Sequence, residues 1–87
     1  MTPSSPWPAR LSPDAAKYLA ALPPEVQEMA RDLLAIASRQ PWGWEQWDPT
    51  DPEGVDLRAA GVGPLTVVYW INRPSEHLYV LDVVWVG

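Results

Sequence analysis

Two apolar runs near the carboxyl end constrain the fold more than any other feature of the chain. Leu65 to Ile71 and Leu78 to Val86 are dense in branched and aromatic side chains, while Gly61, Gly63, Pro64, Asn72 and Pro74 punctuate the joints around them. With the shorter stretch from Val55 to Gly61 in front, the last third reads as three strands joined by two tight connections, an antiparallel meander. Alternation sends Leu65, Val67, Tyr69 and Ile71 to one face of the sheet and Thr66, Val68 and Trp70 to the other. The same rule divides the final strand into Leu78, Val80, Val84 and Val86 opposite Tyr79, Leu81, Val83 and Trp85. Both faces are apolar, yet only two helices precede them.

Those helices are legible from their ends. Ser12-Pro13-Asp14 offers a capping hydroxyl, a proline suited to the first helical position and an acid against the positive helix end, so a helix is expected to about Leu22. Pro23-Pro24 stops it, and Pro24-Glu25 opens a second in which Val26, Met29, Ala30, Leu33, Leu34 and Ala37 recur at helical spacing. Glu28, Arg31, Asp32 and Arg39 take the opposite face, and Gln40-Pro41 closes the helix because proline disfavours a helical predecessor. Ahead of this helix hairpin, Trp7 to Leu11 suits a strand, and Pro6 and Pro8 confine it to a sheet edge, since each removes a ladder donor. From Pro41 to Gly54 neither periodicity holds, and a loop carrying Trp42, Trp44 and Trp47 among Glu45, Asp48, Asp51 and Glu53 is expected. The fold class that follows is α+β: two helices on one face of a mainly antiparallel four-stranded sheet, in the order β-α-α-β-β-β.

At 87 residues the chain is read as one domain, 1–87, with residues 1–6 flexible. The 47% apolar fraction and six tryptophans argue for a packed core, and eleven prolines for stiff joints. There is no cysteine, which removes disulfides, thiolate metal sites and a cysteine nucleophile. The first residues lack the basic and then apolar pattern of a secretory signal, and no apolar run approaches a bilayer-spanning length, so a cytoplasmic protein is expected. Six basic residues against eleven acidic leave a net charge of -5, which disfavours nucleic acid because phosphate neutralisation supplies most nonspecific affinity.

The run from Asp56 through Leu57 and Arg58 to Gly61, the step Val67-Val68-Tyr69, and the strand Val80-Leu81-Asp82-Val83, taken with the order of elements, resemble the RelE/ParE superfamily of bacterial toxins. The resemblance covers most of the chain and implies the toxin component of a toxin–antitoxin pair, with a small antitoxin-like protein or self-association as partner. In the RelE-like branch it implies ribosome-dependent cleavage of messenger RNA, with Arg58 holding the scissile phosphate as the candidate catalytic residue from the uncovered face of the sheet. Other groups of that branch have no counterpart. Thr66 stands where a second arginine precedes the Val-Tyr step, Lys17 on the first helix is the only lysine, and no basic or tyrosine residue follows the last strand up to Gly87. Two alternatives stay open beside the nuclease: a noncatalytic protein-interaction domain on the same scaffold, and the gyrase-inhibiting ParE branch.

Other side chains have a bland reading beside a functional one. For Arg58 the bland reading is a strand-edge arginine paired with Asp56, Asp82 or Glu53, the commoner fate of such a cation. Val68 and Trp70 are candidate partner-binding residues if their face stays bare, and become core if the N-terminal segment or the tryptophan loop folds over them. Trp42, Trp44 and Trp47 are candidate partner contacts rather than base-stacking platforms, because acids rather than cations interleave with them. His77 beside Glu76 could act as a general base or stand solvated at a turn, as Arg73 is expected to do. Asp48, Asp51 and Glu53 carry oxygens suited to a hard cation, but Pro49 and Pro52 stiffen the segment and no known loop spacing fits, so neither metal nor cofactor is expected.

Overall fold

A computed structural model describes residues 6–87, in the order β1 (Ala9–Leu11), α1 (Pro13–Ala20), α2 (Pro24–Arg39), β2 (Glu45–Gln46), β3 (Leu57–Val62), β4 (Leu65–Asn72) and β5 (His77–Trp85). The flexibility expected of residues 1–6 falls, Pro6 apart, outside the described residues. The five strands form one sheet in the order β1-β5-β4-β3-β2, antiparallel except where β1 runs parallel to β5. The architecture is the expected α+β arrangement with one strand more than the four expected. The addition is β2, inside the segment read as an irregular loop: two residues that pair with Arg58 and Ala59 are too few to produce a period-2 signal.

Local chemistry accounts for the elements. The Ser12 hydroxyl accepts the Ala15 N–H at 3.1 Å, Pro13 takes the first turn of α1, and Asp14 sits at its positive end. The helix stops at Ala20, two residues short of the expected end. On α2, Val26, Ala30, Leu33 and Ala37 are buried at spacings of four, three and four, and the two alanines let the helix lie close on β3 and β4. Burial of Val26 and Leu33 contributes about 1.5–3 kcal/mol each. Pro6 and Pro8 are accommodated as expected at an edge, where Pro8 offers its carbonyl to the Leu78 N–H at 2.9 Å. Between β3 and β4, Gly63 has φ +54°, the left-handed geometry that a two-residue hairpin connection needs and that a side chain would strain.

The core lies between the helices and one face of the sheet, where Leu65, Val67, Tyr69 and Ile71 meet Leu78, Val80 and Val83. Val83 corrects the alternation expected of β5. Tyr69 pairs with Val80 but Val68 pairs with Asp82, so Leu81 is an extra residue, a β-bulge. The bulge reverses the phase beyond it: Val83 turns into the core and Val84 out to solvent, the opposite of an unbroken period of two. Val83→Asp should therefore unfold the protein or cost more than about 3 kcal/mol, whereas Val84→Asp should stay within about 0.5 kcal/mol. Urea melts of the two variants check this, and equal costs would contradict the bulged register.

Candidate functional site

Arg58 is opposite Tyr69 on β4 and opposite Gln46 on β2, so its side chain leaves the sheet on the face that carries the helices. The expected placement on the uncovered face is thereby corrected. The short hairpin sets the alignment: Val62 pairs with Leu65, and four pairs further on Arg58 falls opposite the inward-pointing Tyr69. None of the expected acids holds it. Nε donates to the Val55 carbonyl at 2.8 Å and Nη1 to the Trp44 carbonyl at 2.9 Å, bridging the two ends of the segment that contains β2. Of the guanidinium nitrogens, Nη2 is left without a hydrogen bond among the described residues.

Tyr69 reinforces the same segment. Its ring is fully buried, and its hydroxyl donates to the Pro41 carbonyl at 2.7 Å. Burial pushes the phenol up to about 12, a rise that the nearby Arg58 charge opposes. The loop is thus held at Pro41, Trp44 and Val55 by donors from two strands.

A second group closes the adjoining corner. Arg73 forms a two-nitrogen ion pair with Asp56, with Nη2 at 2.8 Å from Oδ1, so it is not the solvated charge expected at that turn. Its guanidinium carbon lies 4.8 Å from the centre of the Trp42 ring, whose Nε1 donates to Asp56 at 3.0 Å. Trp7 meets Trp42 edge to face at 5.5 Å. The hydrogen bond from Arg73 holds the Asp56 carboxyl below its ordinary range, against the opposing effect of burial. His77 opens β5 opposite Asn72, with no side-chain hydrogen bond among the described residues. Asp48 accepts the Thr50 hydroxyl and N–H, which lower its pKa, and Asp51 accepts the Glu53 N–H; both carboxylates serve their own turns.

The five candidate partner residues divide between two surfaces. Trp44 is half-buried against the helix-side core, and Trp42 belongs to the ion-pair corner. Val68 and Trp70 lie on the open face; Val68 is 6% exposed, shielded among its neighbours there, whereas Trp70 is 43% exposed. Trp47 follows β2 and donates its N–H to the Leu57 carbonyl at 2.9 Å, which continues the β2–β3 register and places it on the open face too. Neither cover considered for that face closes it among the described residues: Trp7 is bonded to Ser38 of α2, Trp44 packs against the core, and Trp47 reaches only the edge of the open face and is itself 53% exposed. Sequence reasoning missed Arg10, Leu57 and Tyr79, which pairing aligns with Trp70 in one row across the open face. The two hairpin lengths were the available signal, since they fix lateral alignment.

No protein-family model matches the chain, and no curated protein matches it. Solved structures do. The isolated Escherichia coli RelE toxin superposes with a TM-score of 0.78 at 16% identity, covering 93% of this chain and 85% of that one. A chain of the RelBE2 toxin–antitoxin complex of Mycobacterium tuberculosis gives 0.77 at 22% identity, covering 93% and 99%. A chain of the archaeal RelE–RelB complex from Pyrococcus horikoshii OT3 gives 0.71 at 19%, covering 95% and 98%. These likenesses define the class: the chain has the fold of the RelE toxins, in a divergent sequence.

Two substitutions test the pinned loop. Arg58→Ala removes two hydrogen bonds from a charged donor and should cost about 2 kcal/mol, with amide exchange accelerating over residues 41–55 rather than in β4. Tyr69→Phe should cost about 1 kcal/mol at neutral pH. A phenol raised in the folded state contributes stability below its unfolded value, and that contribution is lost as pH rises through about 10 toward about 12. The Tyr69→Phe variant should therefore lack this alkaline loss in denaturant melts between those values.

Proposed function

We propose that the chain is the RelE-like toxin component of a toxin–antitoxin pair, working in the cytoplasm with a small antitoxin-like protein as partner. The observation that carries this reading is the superposition on RelE over more than nine-tenths of the chain. The open face of the sheet, with Trp70 and Trp47 on it, supplies the exposed apolar surface that protein binding requires. In this reading growth inhibition follows when the partner is absent, and ribosome-dependent cleavage of messenger RNA is the activity that the RelE branch would bring.

A second reading is favoured by one observation in particular. Arg58, the one residue of the nuclease set with a counterpart here, spends two of its three nitrogens on main-chain carbonyls on the helix side. Cleavage also needs groups to move protons and to neutralise charge, and an acidic chain of net charge -5 supplies few cations near the strand. Both features favour a noncatalytic interaction protein on the same scaffold.

Expression of the chain without its partner separates the readings. A toxin should arrest growth; unimpaired growth with soluble protein in the cell would contradict the proposal. Arg58→Gln keeps a donor at the position of Nε for the Val55 carbonyl while removing the charge and the bond to the Trp44 carbonyl. Relief of the arrest by this variant supports cleavage, and persistence of the arrest supports action through binding alone.

A further inference from the structure

The sheet sorts its cations and phenols by face. On the helix side Arg58 and Tyr69 are engaged by main-chain carbonyls. On the open face Arg10, Tyr79 and His77 make no side-chain hydrogen bond among the described residues, where the only ion pair is Arg73 with Asp56. Register brings these three together. Arg10 on β1 is exposed and aligned with Tyr79 on β5, about 4.8 Å away on the neighbouring strand. His77 lies two residues before Tyr79 on the same face, about 7 Å along the strand. Trp70, 43% exposed, flanks Tyr79 on the β4 side. Asp82, an acid of the same face, lies beyond the Leu81 bulge, and its Oδ1 accepts the Val83 N–H at 2.9 Å. Glu45 stands at the far edge of the sheet, on β2. A guanidinium, an imidazole and a phenol thus share one corner of the open face without partners of their own.

We propose that this corner, and not Arg58, is the cleavage site for a ribonucleotide phosphodiester. The Arg10 guanidinium binds the nonbridging oxygens and neutralises the charge that grows on them as the new bond forms. A ring nitrogen of His77 takes the proton of the 2′-hydroxyl, whose oxygen attacks phosphorus. The bond from phosphorus to the 5′ oxygen breaks, and the Tyr79 hydroxyl gives its proton to that departing oxygen. The products are a 2′,3′-cyclic phosphate and a 5′-hydroxyl. The imidazolium then returns its proton to the phenolate through water, which restores both groups. Trp70 offers its exposed ring to the base beside the scissile bond.

This site rests on the cleavage reading under Proposed function and accommodates the acidic balance that weighs against it. With a net charge of -5 the chain attracts free RNA poorly. A strand presented by the ribosome needs no such attraction, only groups placed at one bond. The antitoxin-like partner and the message then compete for one face, and the partner silences the site by covering it.

A purified bacterial translation system programmed with one defined messenger RNA tests the site, with fragments mapped by primer extension. The wild-type chain should cut the message and leave cyclic phosphate and 5′-hydroxyl ends. Arg10→Ala, His77→Ala and Tyr79→Phe should each slow cutting about a hundredfold or more, with unchanged circular dichroism spectra. Imidazole in the buffer should speed His77→Ala about tenfold or more, a rescue that a structural role for His77 would not permit. Arg31→Ala, on the outer side of α2, removes the same charge and should cut as the wild type does. Where growth arrest persists in Arg58→Gln, message fragments in those cells separate this site from action through binding alone. Wild-type cutting rates in any of the three variants, or no rescue by imidazole, would overturn the site and leave the toxin reading standing. A wild type that leaves the message whole would instead remove the cleavage reading, and this site with it.

Discussion

The pairing of β4 with β5 is the constraint from which the rest of the molecule follows. These are the two longest strands, they lie side by side in the sheet, and both are apolar on both faces. A one-residue change in their phase would exchange what is buried with what is bare. The bulge at Leu81 sets that phase. It keeps Val80 and Val83 together under the helices, although an unbroken strand would have sent them to opposite sides. The same device places Leu81, Asp82 and Val84 outside, which gives the open face its apolar strip and its rim acid.

The helix-bearing side shows how an acidic, proline-rich chain uses its few cations. Arg58 and Arg73 do not form a basic patch. One clasps main-chain carbonyls at both ends of the tryptophan segment, and the other lies between Asp56 and the Trp42 ring. Together with the Tyr69 hydroxyl they order a stretch that has almost no regular structure, and Trp44 of that stretch packs against the core. A guanidinium held by two carbonyls is a positioned donor, and releasing it to bind phosphate would cost the loop its anchors. Arg10 differs: it is the cation that β1 carries onto the open face, among aromatic neighbours.

Much of the architecture was legible in the residues. Ser12-Pro13-Asp14 and Pro23-Pro24 marked helix boundaries through capping and missing donors, and the spacing of Val26, Ala30, Leu33 and Ala37 named the buried side of α2. The prolines around Trp7 confined β1 to an edge, where it is found. Three features were not legible, each for a physical reason. A bulge leaves no mark in a run where every residue is apolar or branched. Strand β2 is shorter than any periodicity. The side on which Arg58 emerges depends on pairing register across a hairpin, a tertiary property that Leu57-Arg58 does not encode. The resemblance to RelE toxins read from a few strand motifs agrees with the fold, whereas the role borrowed for Arg58 meets a side chain already engaged.

Cross-strand proton contacts between β4 and β5, measured by nuclear Overhauser spectroscopy on labelled protein, test the central claim most directly. The account predicts Tyr69 facing Val80, Val68 facing Asp82 and Val67 facing Val83, with Leu81 left unpaired. Contacts placing Val68 opposite Leu81 and Val67 opposite Asp82 would describe an unbulged ladder, and would contradict both the assignment of the core and the makeup of the open face.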